Sequence, residues 1–205
     1  MRKTPVILAL LALALLLHAG EAPATKAKDA QDRGAQWLLK QQLPDGSFAP
    51  DPKMSDVGIT GLAVTALAKS GYAKTPEVEK GIAYLLKHAH EDGAIYNDDG
   101  QGLYNYRTSV ALMAMAAADP LKYKDAIRKA QDYLAGTQRS EATGTPKTDV
   151  KYGGIGYGKD PGRNDMSNLQ IALQALKECG YQNDEVFQRA AECAASSQNL
   201  QATNP

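Results

Sequence analysis

Arg33-Gly34-Ala35-Gln36-Trp37-Leu38 is the first of three similar stretches, and their repetition decides the fold. The same order of a basic, a small, two variable, an aromatic and a leucine residue recurs in Lys80-Gly81-Ile82-Ala83-Tyr84-Leu85 and Lys129-Ala130-Gln131-Asp132-Tyr133-Leu134. A fourth stretch begins at Arg189 but has Cys193 in the aromatic position. The basic residues are 47, 49 and 60 residues apart. A period of about 50 residues indicates a repeat architecture, in which each unit buries its apolar face against its neighbours.

Each unit is predicted to hold two helices joined by a loop that contains glycine. In unit one a polar helix over 28–42 ends at Pro44-Asp45-Gly46, and a second helix is capped by Ser55 or Asp56 and runs to Gly71. This second helix is small or apolar nearly all round, so it is expected in an inner layer. Units two and three repeat the plan, with outer helices over 77–89 and 123–138 and inner helices around 110–115 and 169–176. The predicted fold class is therefore all-α, with two layers of helical hairpins.

The first unit resembles the QW repeat of squalene and oxidosqualene cyclases, from Arg33 through Gln42 to Gly46-Ser47-Phe48. Phe48 stands where that family has tryptophan, and Ala89 replaces the glutamine in unit two. The stretch over 152–157 is similar to the Gly-Gly-x-Gly loop of protein prenyltransferase β-subunits. The resemblance covers 28–198 and implies an α/α toroid whose inner helices ring a cavity.

The chain holds three such hairpins and the outer helix of a fourth, so the resemblance implies an open arc or partial ring. We expect a repeat domain over 25–205 that is incomplete at its C-terminus, either as a fragment of a longer protein or as one half of an assembled ring. Apolar side chains, with Ala191, Ala194 and Ala195 among them, are expected at the open end. A homo-oligomer that completes the ring is one expectation.

The repeated glutamine and aromatic residues have a structural interpretation. A glutamine at the end of an outer helix can bond the free groups of a neighbouring helix terminus, with the aromatic residue packed over it. Trp37, Tyr84 and Tyr133 are therefore predicted to lie between adjacent hairpins as buried residues.

The N-terminus has the pattern of a secretory signal peptide over 1–24. Arg2-Lys3 precedes an apolar run over 6–17, and Ala22-Pro23-Ala24 supplies a cleavage site after Ala24, with Gly20 and Ala22 as alternatives. The run is shorter than the roughly 20 residues that span a bilayer. The protein is therefore expected to be exported, to the periplasm or outside the cell.

Removal of residues 1–24 leaves 21 basic and 22 acidic residues and no basic stripe, which argues against a nucleic-acid partner. Cys179 and Cys193 could form a disulfide in an oxidising compartment, or could be two small buried residues.

The catalytic groups of the resembled families are missing from the sequence. The cyclase acid motif Asp-x-Asp-Asp-Thr is absent, and the stretch from Asn97 to Gly100 is interpreted as a solvated acidic turn, with a calcium site as the alternative. The zinc site of the prenyltransferases would need a cysteine where Ser167 stands. His88 and His90 are expected to face solvent at the end of an outer helix. No metal, cofactor or catalytic residue is therefore predicted.

The starts of the inner helices remain as the candidate ligand-binding rim. If the inner helices point their N-termini to one side, polar and aromatic residues converge there, although Asp56 and Asp165 also fit the role of helix caps. The candidate residues are Asp56, Tyr104, Tyr106, Arg107, Tyr157, Asp165 and Asn168.

Two classes of function follow. The first is an exported, non-catalytic module whose inner-helix face binds an isoprenoid-like or other hydrophobic small molecule, a glycan or a protein. The second is the N-terminal part of a terpenoid cyclase or prenyltransferase-like enzyme, which rests on fold-level analogy. An α/α-barrel enzyme that acts on polysaccharides is a further alternative.

Overall fold

A computed structural model describes residues 23–158 and 164–198 of the chain. Most of the predicted signal peptide, residues 1–22, lies outside the described residues. The chain divides into two compact units, residues 1–37 and 38–205.

The described residues form seven α-helices and no strand, which confirms the all-α prediction. Their order is α1 (Pro23–Leu39), α2 (Val57–Leu67), α3 (Pro76–Lys87), α4 (Tyr104–Ala118), α5 (Lys124–Gly136), α6 (Met166–Glu178) and α7 (Asp184–Ser196). The range of 28–42 predicted for α1 differs at both ends, since the helix begins at Pro23 and ends at Leu39. The helix ends earlier because Gln42 pairs with Phe48 in an isolated antiparallel bridge.

Within the unit 38–205, α4 packs between α2 and α6, so these three helices form the inner layer. Eleven of the fifteen residues of α4 are buried. The contact with α2 is close because Gly61 presents no side chain: a Cβ there would lie 3.0 Å from the Val110 backbone. The outer helix α3 packs against α2 and α4, and α5 packs against α4 and α6. The two predicted layers are confirmed for these helices.

A backbone contact joins consecutive repeats. The motif glycines Gly46, Gly93 and Gly153 all have positive φ, and a Cβ on any of them would overlap a carbonyl group in the next outer helix. That carbonyl belongs in each case to the motif's basic residue: Lys80, Lys129 and Arg189. Only glycine supplies both the left-handed backbone and the open space.

The motif glutamines bridge the same joints. The Gln138 side chain donates to the carbonyl oxygens of Gly153 (3.1 Å) and Val186 (2.8 Å), and its Oε1 accepts from Arg189 Nε at 2.9 Å. Gln42 donates to the equivalent pair of carbonyl oxygens in unit one. The predicted role of the glutamine is thereby observed.

The motif aromatics differ in burial. Tyr84 and Tyr133 are 5% and 6% exposed, as predicted, but Trp37 is 61% exposed. The prediction that Trp37 is buried is wrong, because burial depends on neighbouring side chains that the motif does not encode.

The two cysteines are free thiols. Cys179 Sγ lies 3.6 Å from the Leu112 carbonyl oxygen, whereas Cys193 Sγ lies 3.5 Å from the Asn164 side chain. Burial raises the pKa of the Cys179 thiol to about 12. None of the helices in the described ranges is long and apolar enough to cross a membrane.

Candidate functional site

Aspartates cap two of the three inner helices. The Asp56 carboxylate accepts a bond from the Ile59 amide (3.0 Å) at the start of α2, and the Asp165 carboxylate accepts one from the Asn168 amide (2.8 Å) at the start of α6. Each bond satisfies an amide that has no partner within the helix. The predicted capping roles are confirmed, and α4 begins without a side-chain cap.

Arg107 connects the start of α4 to two carboxylates. Its side chain is 1% exposed, and its Nη1 and Nη2 atoms donate to the two Asp99 oxygens at 2.9 and 2.6 Å. Nη2 also pairs with Asp56 Oδ2 at 2.5 Å. The bond from Arg107 lowers the pKa of the Asp99 carboxyl, so this carboxylate is ionised at neutral pH. Because burial of an arginine is costly unless its charge is paired, the two carboxylates make its position tenable.

Asn97 ties this ion pair to α2. Its Oδ1 accepts the Val57 amide at 2.8 Å, and its carbonyl oxygen accepts from Arg107 Nη1 at 3.4 Å. Its Nδ2 contacts the Tyr84 hydroxyl at 3.3 Å. The interpretation of 97–100 as a solvated acidic turn is therefore wrong for Asn97, which is half-buried, whereas Asp99 is exposed and also pairs with Arg107. Asp98 keeps that character, with an 80% exposed side chain.

An aromatic row reaches the rim from the outer layer. The His90 ring stacks on Tyr96 with centroids 3.9 Å apart, and Tyr96 contacts Tyr104 at 4.2 Å. His88 and His90 are half-buried, which corrects the expectation that they face solvent. Burial lowers the pKa of His88, so its imidazole is mainly neutral at pH 7.

The loop that precedes α6 pairs with the start of α4. Asn105 donates its backbone amide to the Tyr157 carbonyl oxygen (2.9 Å) and its side-chain amide to the Gly156 carbonyl oxygen (2.8 Å). The Tyr157 side chain is 44% exposed at this place. Gly158 lies against the Tyr104 ring, where a Cβ would crowd it.

Asp165 and Asn168 form a second polar cluster. Asp165 Oδ1 accepts bonds from the Asn168 side chain (3.0 Å) and the Ser167 hydroxyl (2.5 Å), besides the capped amide. The Ser167 and Asn168 bonds lower the pKa of Asp165 to about 2. A carboxylate with three donors on one oxygen is strongly stabilised in its ionised form.

Three buried polar atoms at the rim make no hydrogen bond within the described part of the chain. They are Asn105 Oδ1, Arg107 Nε and Asn168 Oδ1. Each of these residues is 1% exposed or less. An unsatisfied buried polar atom costs about 1–3 kcal/mol, so each of these three atoms is an unusual feature of the rim.

The structure brings some of the predicted site residues together. Asp56 pairs with Arg107, Asp165 bonds Asn168, and the Tyr106 ring lies near Gly58 beside Arg107. Tyr104 and Tyr157 lie at the junction of α4 with the loop before α6. The rim thus contains two polar clusters, one where α2 meets α4 and one at the start of α6.

Sequence reasoning missed Asp99, Asn97 and Asn105. No spacing signal marks Asp99, since its partner Arg107 is identified only by the packing of α4. The Asn105 side chain could have been included, because it lies between two residues already placed at the rim.

The class of protein is defined by paired helical hairpins with a repeated Gln–Gly joint, in which aspartates cap two of the three inner helices. Residues 48–204 match the family described as Squalene-hopene cyclase C-terminal domain, and this match covers well over half of the chain. The chain belongs to this family, which confirms the resemblance to squalene cyclases and implies α/α toroid repeats. A squalene–hopene cyclase from Bradyrhizobium diazoefficiens is 30% identical over 194 residues, covering 83% of this chain. The chain spans 29% of the length of that relative.

Proposed function

We propose that this chain is an exported, non-catalytic member of its family that binds a ligand at the inner-helix rim. The observation that carries the proposal is the set of three buried, unsatisfied polar atoms: Asn105 Oδ1, Arg107 Nε and Asn168 Oδ1. Because these atoms are buried, a ligand that supplies one acceptor and two donors satisfies them only after neighbouring rim side chains move aside. The ion pairs and caps around them hold these atoms in place, which lowers the ordering cost of binding.

The state of the rim carboxylates supports binding rather than acid catalysis. Protonation of an alkene requires a carboxylic acid that still carries its proton. The pKa of Asp165 is about 2 and the pKa of Asp99 is lowered by Arg107, so both are ionised at neutral pH. Both are also occupied by structural bonds.

A polyhydroxyl ligand such as a glycan matches this surface best. Each hydroxyl group both donates and accepts, which suits one free donor and two free acceptors. The exposed Tyr157 ring offers a face for an apolar sugar surface. An isoprenoid-like molecule and a protein are the other two classes of partner.

Export is supported by the N-terminal sequence, where Arg2-Lys3, the apolar run over 6–17 and Ala22-Pro23-Ala24 form a signal-peptide pattern. We expect the mature protein in the periplasm or the medium, with Thr25 at its N-terminus. Cell fractionation and N-terminal sequencing test this; a full-length protein retained in the cytoplasm would contradict it.

The binding proposal is tested with a glycan panel and calorimetry on the purified protein. Tyr157→Ala should weaken binding about tenfold, because one stacking contact is worth about 1 kcal/mol or more, while the thermal midpoint stays unchanged. Val150→Ala is the matched control, since Val150 is 85% exposed and outside the rim. If a variant that carries both Tyr157→Ala and Asn168→Leu still bound the glycan, the rim would be excluded as the binding site.

The alternative function is one part of a terpenoid cyclase or prenyltransferase-like enzyme, and the 30% identity to a squalene–hopene cyclase favours it. Incubation with squalene and analysis of the products by gas chromatography separates the two. We expect no cyclised product. Turnover that disappears in Asp165→Asn would replace the binding proposal with catalysis.

A further inference from the structure

Ala89 lies where the other two complete repeats have their bridging glutamine. Gln42 donates to the carbonyl oxygens of Gly46 (3.0 Å) and Glu77 (2.7 Å). Gln138 makes the same two bonds in unit three. Both acceptors are defined by the motif: one is its glycine, and the other lies three residues before the next basic residue. In unit two these acceptors are the carbonyl oxygens of Gly93 and Ala126.

The backbone around Ala89 keeps the geometry of the other repeats. Ala89 pairs with Ile95 in an antiparallel bridge, as Gln42 pairs with Phe48. Gly93 lies against the Lys129 carbonyl, as Gly46 lies against that of Lys80. The joint has therefore not closed around the smaller side chain.

An open groove of about 320 Å³ occupies this joint. Its lining combines buried or half-buried residues with exposed ones: His90, Gly93, Ile95 and Ala126 belong to the first group, and Ala89, Glu91, Asp125 and Lys129 to the second. Small-molecule sites begin at about 300 Å³, so the groove has room for a carboxamide and for part of the molecule that carries it. His90 connects the groove to the aromatic row that ends at Tyr104.

We infer that this groove binds a glutamine side chain of a partner peptide. The carboxamide takes the position that Gln42 and Gln138 occupy in the other joints, and its N–H groups donate to the Gly93 and Ala126 carbonyl oxygens. Two carboxylates and one ammonium group in the groove lining favour a neutral or cationic segment over an acidic one. This site belongs to the outer layer and does not depend on the function proposed for the rim.

The test uses the mature protein and two blocked amino acids of nearly the same shape, N-acetyl-glutamine methylamide and N-acetyl-glutamate methylamide. The glutamine probe should shift the NMR amide signals of Gly93 and of Ala126 to Ala130. The glutamate probe should bind at least about tenfold more weakly, because it lacks both N–H donors. Acetamide, which has the amide but no peptide, should also bind more weakly.

Ala89→Gln provides the second arm. The new side chain should occupy the groove, raise the thermal midpoint and abolish the shifts caused by the probe. Ala83→Gln, an exposed position on α3, is the matched control and should leave probe binding unchanged. Any of four results would overturn the assignment. They are equal binding of both blocked amino acids, signal shifts elsewhere on the protein, no binding, and binding that persists in Ala89→Gln. If acetamide bound as tightly as the glutamine probe, the inference that the occupant is a peptide would be contradicted.

Discussion

The Asp165 carboxylate is the most strongly stabilised ionised group at the rim. Its pKa of about 2 in the folded protein lies below the ordinary value of 3.8, because it accepts bonds from Ser167 and Asn168. A group with a depressed folded pKa stabilises the protein above its unfolded pKa, and this contribution is lost as the pH falls through the folded value. The relevant window for Asp165 is therefore about pH 4 to pH 2.

We predict that the free energy of unfolding of the Asp165→Asn variant falls less between pH 4 and pH 2 than that of the wild type. At neutral pH the variant should be less stable by about 1–2 kcal/mol, because asparagine still caps α6 but carries no charge. Urea unfolding at several pH values measures this. Asp132→Asn, at an exposed position of α5, is the control. An unchanged acid limb in Asp165→Asn would show that another carboxylate controls acid unfolding.

Trp37 and Tyr133 occupy the same motif position but should differ in their importance for stability. Tyr133→Ala should cost about 3–5 kcal/mol, as expected for a buried large aromatic residue. Trp37→Ala should cost less than about 1 kcal/mol, because the side chain is 61% exposed. Chemical denaturation of both variants measures the difference, and equal losses would contradict the burial of these side chains in the structure.

Consecutive repeats are connected by the glutamine bridges, and one of these glutamines is fully buried. Gln138 makes three side-chain bonds, of which one is accepted from the Arg189 guanidinium. We predict that Gln138→Ala destabilises the protein by about 2–3 kcal/mol. Gln42→Ala should cost less, since Gln42 is only partly buried and its bonds go to two carbonyl oxygens, at 3.0 and 2.7 Å.

Thermal unfolding of both glutamine variants checks the order of these effects. A Gln138→Glu variant separates hydrogen bonding from volume, because glutamate keeps the shape but places an acceptor against two carbonyl oxygens. If Gln138→Glu were as stable as the wild type, the bridge would contribute through packing alone.

Most of the helical plan could be predicted from the sequence. Apolar periodicity distinguishes α2 and α4, which are apolar nearly all round, from the amphipathic α3 and α5, and glycine or proline marks most helix ends. The bounds predicted for α1 differ from the observed ones, because the pairing of Gln42 with Phe48 is not visible as a periodic pattern. Helix boundaries follow local competition between hydrogen bonds, which composition records poorly.

The candidate site was predictable only in part, for a related reason. Asp56 and Arg107 could be placed at one rim because both begin inner helices, and they form an ion pair. Asp99 could not be placed at the rim from the sequence, because Asn-Asp-Asp-Gly has the composition of an ordinary solvated turn. Its role depends on the direction of the buried Arg107 side chain, which is set by packing.

At the scale of the unit 38–205, apolar surface remains exposed on both flanks of the inner layer. Helix α2 forms one flank, where its Gly58 and Gly61 lie against Arg107 and Val110 of α4. The residues that follow these glycines, Ile59 and Leu62, are 44% and 45% exposed. On the other flank, α6 and α7 border an open apolar groove of about 290 Å³. Of the three alanines predicted to be exposed at this end, Ala191 and Ala195 are exposed, whereas Ala194 is half-buried.

We predict that these flanks drive self-association of the mature protein. Light scattering should give a mass above that of a monomer, because contiguous exposed apolar surface favours contacts between copies. Leu62→Glu should shift the population toward the monomer by placing a charge in the contact. Leu121→Glu is the control, since Leu121 is 82% exposed and lies outside both flanks. A wild-type protein that is monomeric at high concentration would contradict the prediction.

The contact of each motif glycine with the carbonyl of the next basic residue has a consequence for how such chains evolve. Both partners in this contact belong to the main chain, so it is indifferent to which side chains the adjoining units carry. Gly46 follows Gln42 by four residues, whereas Gly153 follows Gln138 by fifteen. Units can therefore diverge in the length of their loops and still stack on one another. A gene that duplicated or exchanged one unit would inherit a working connection with it.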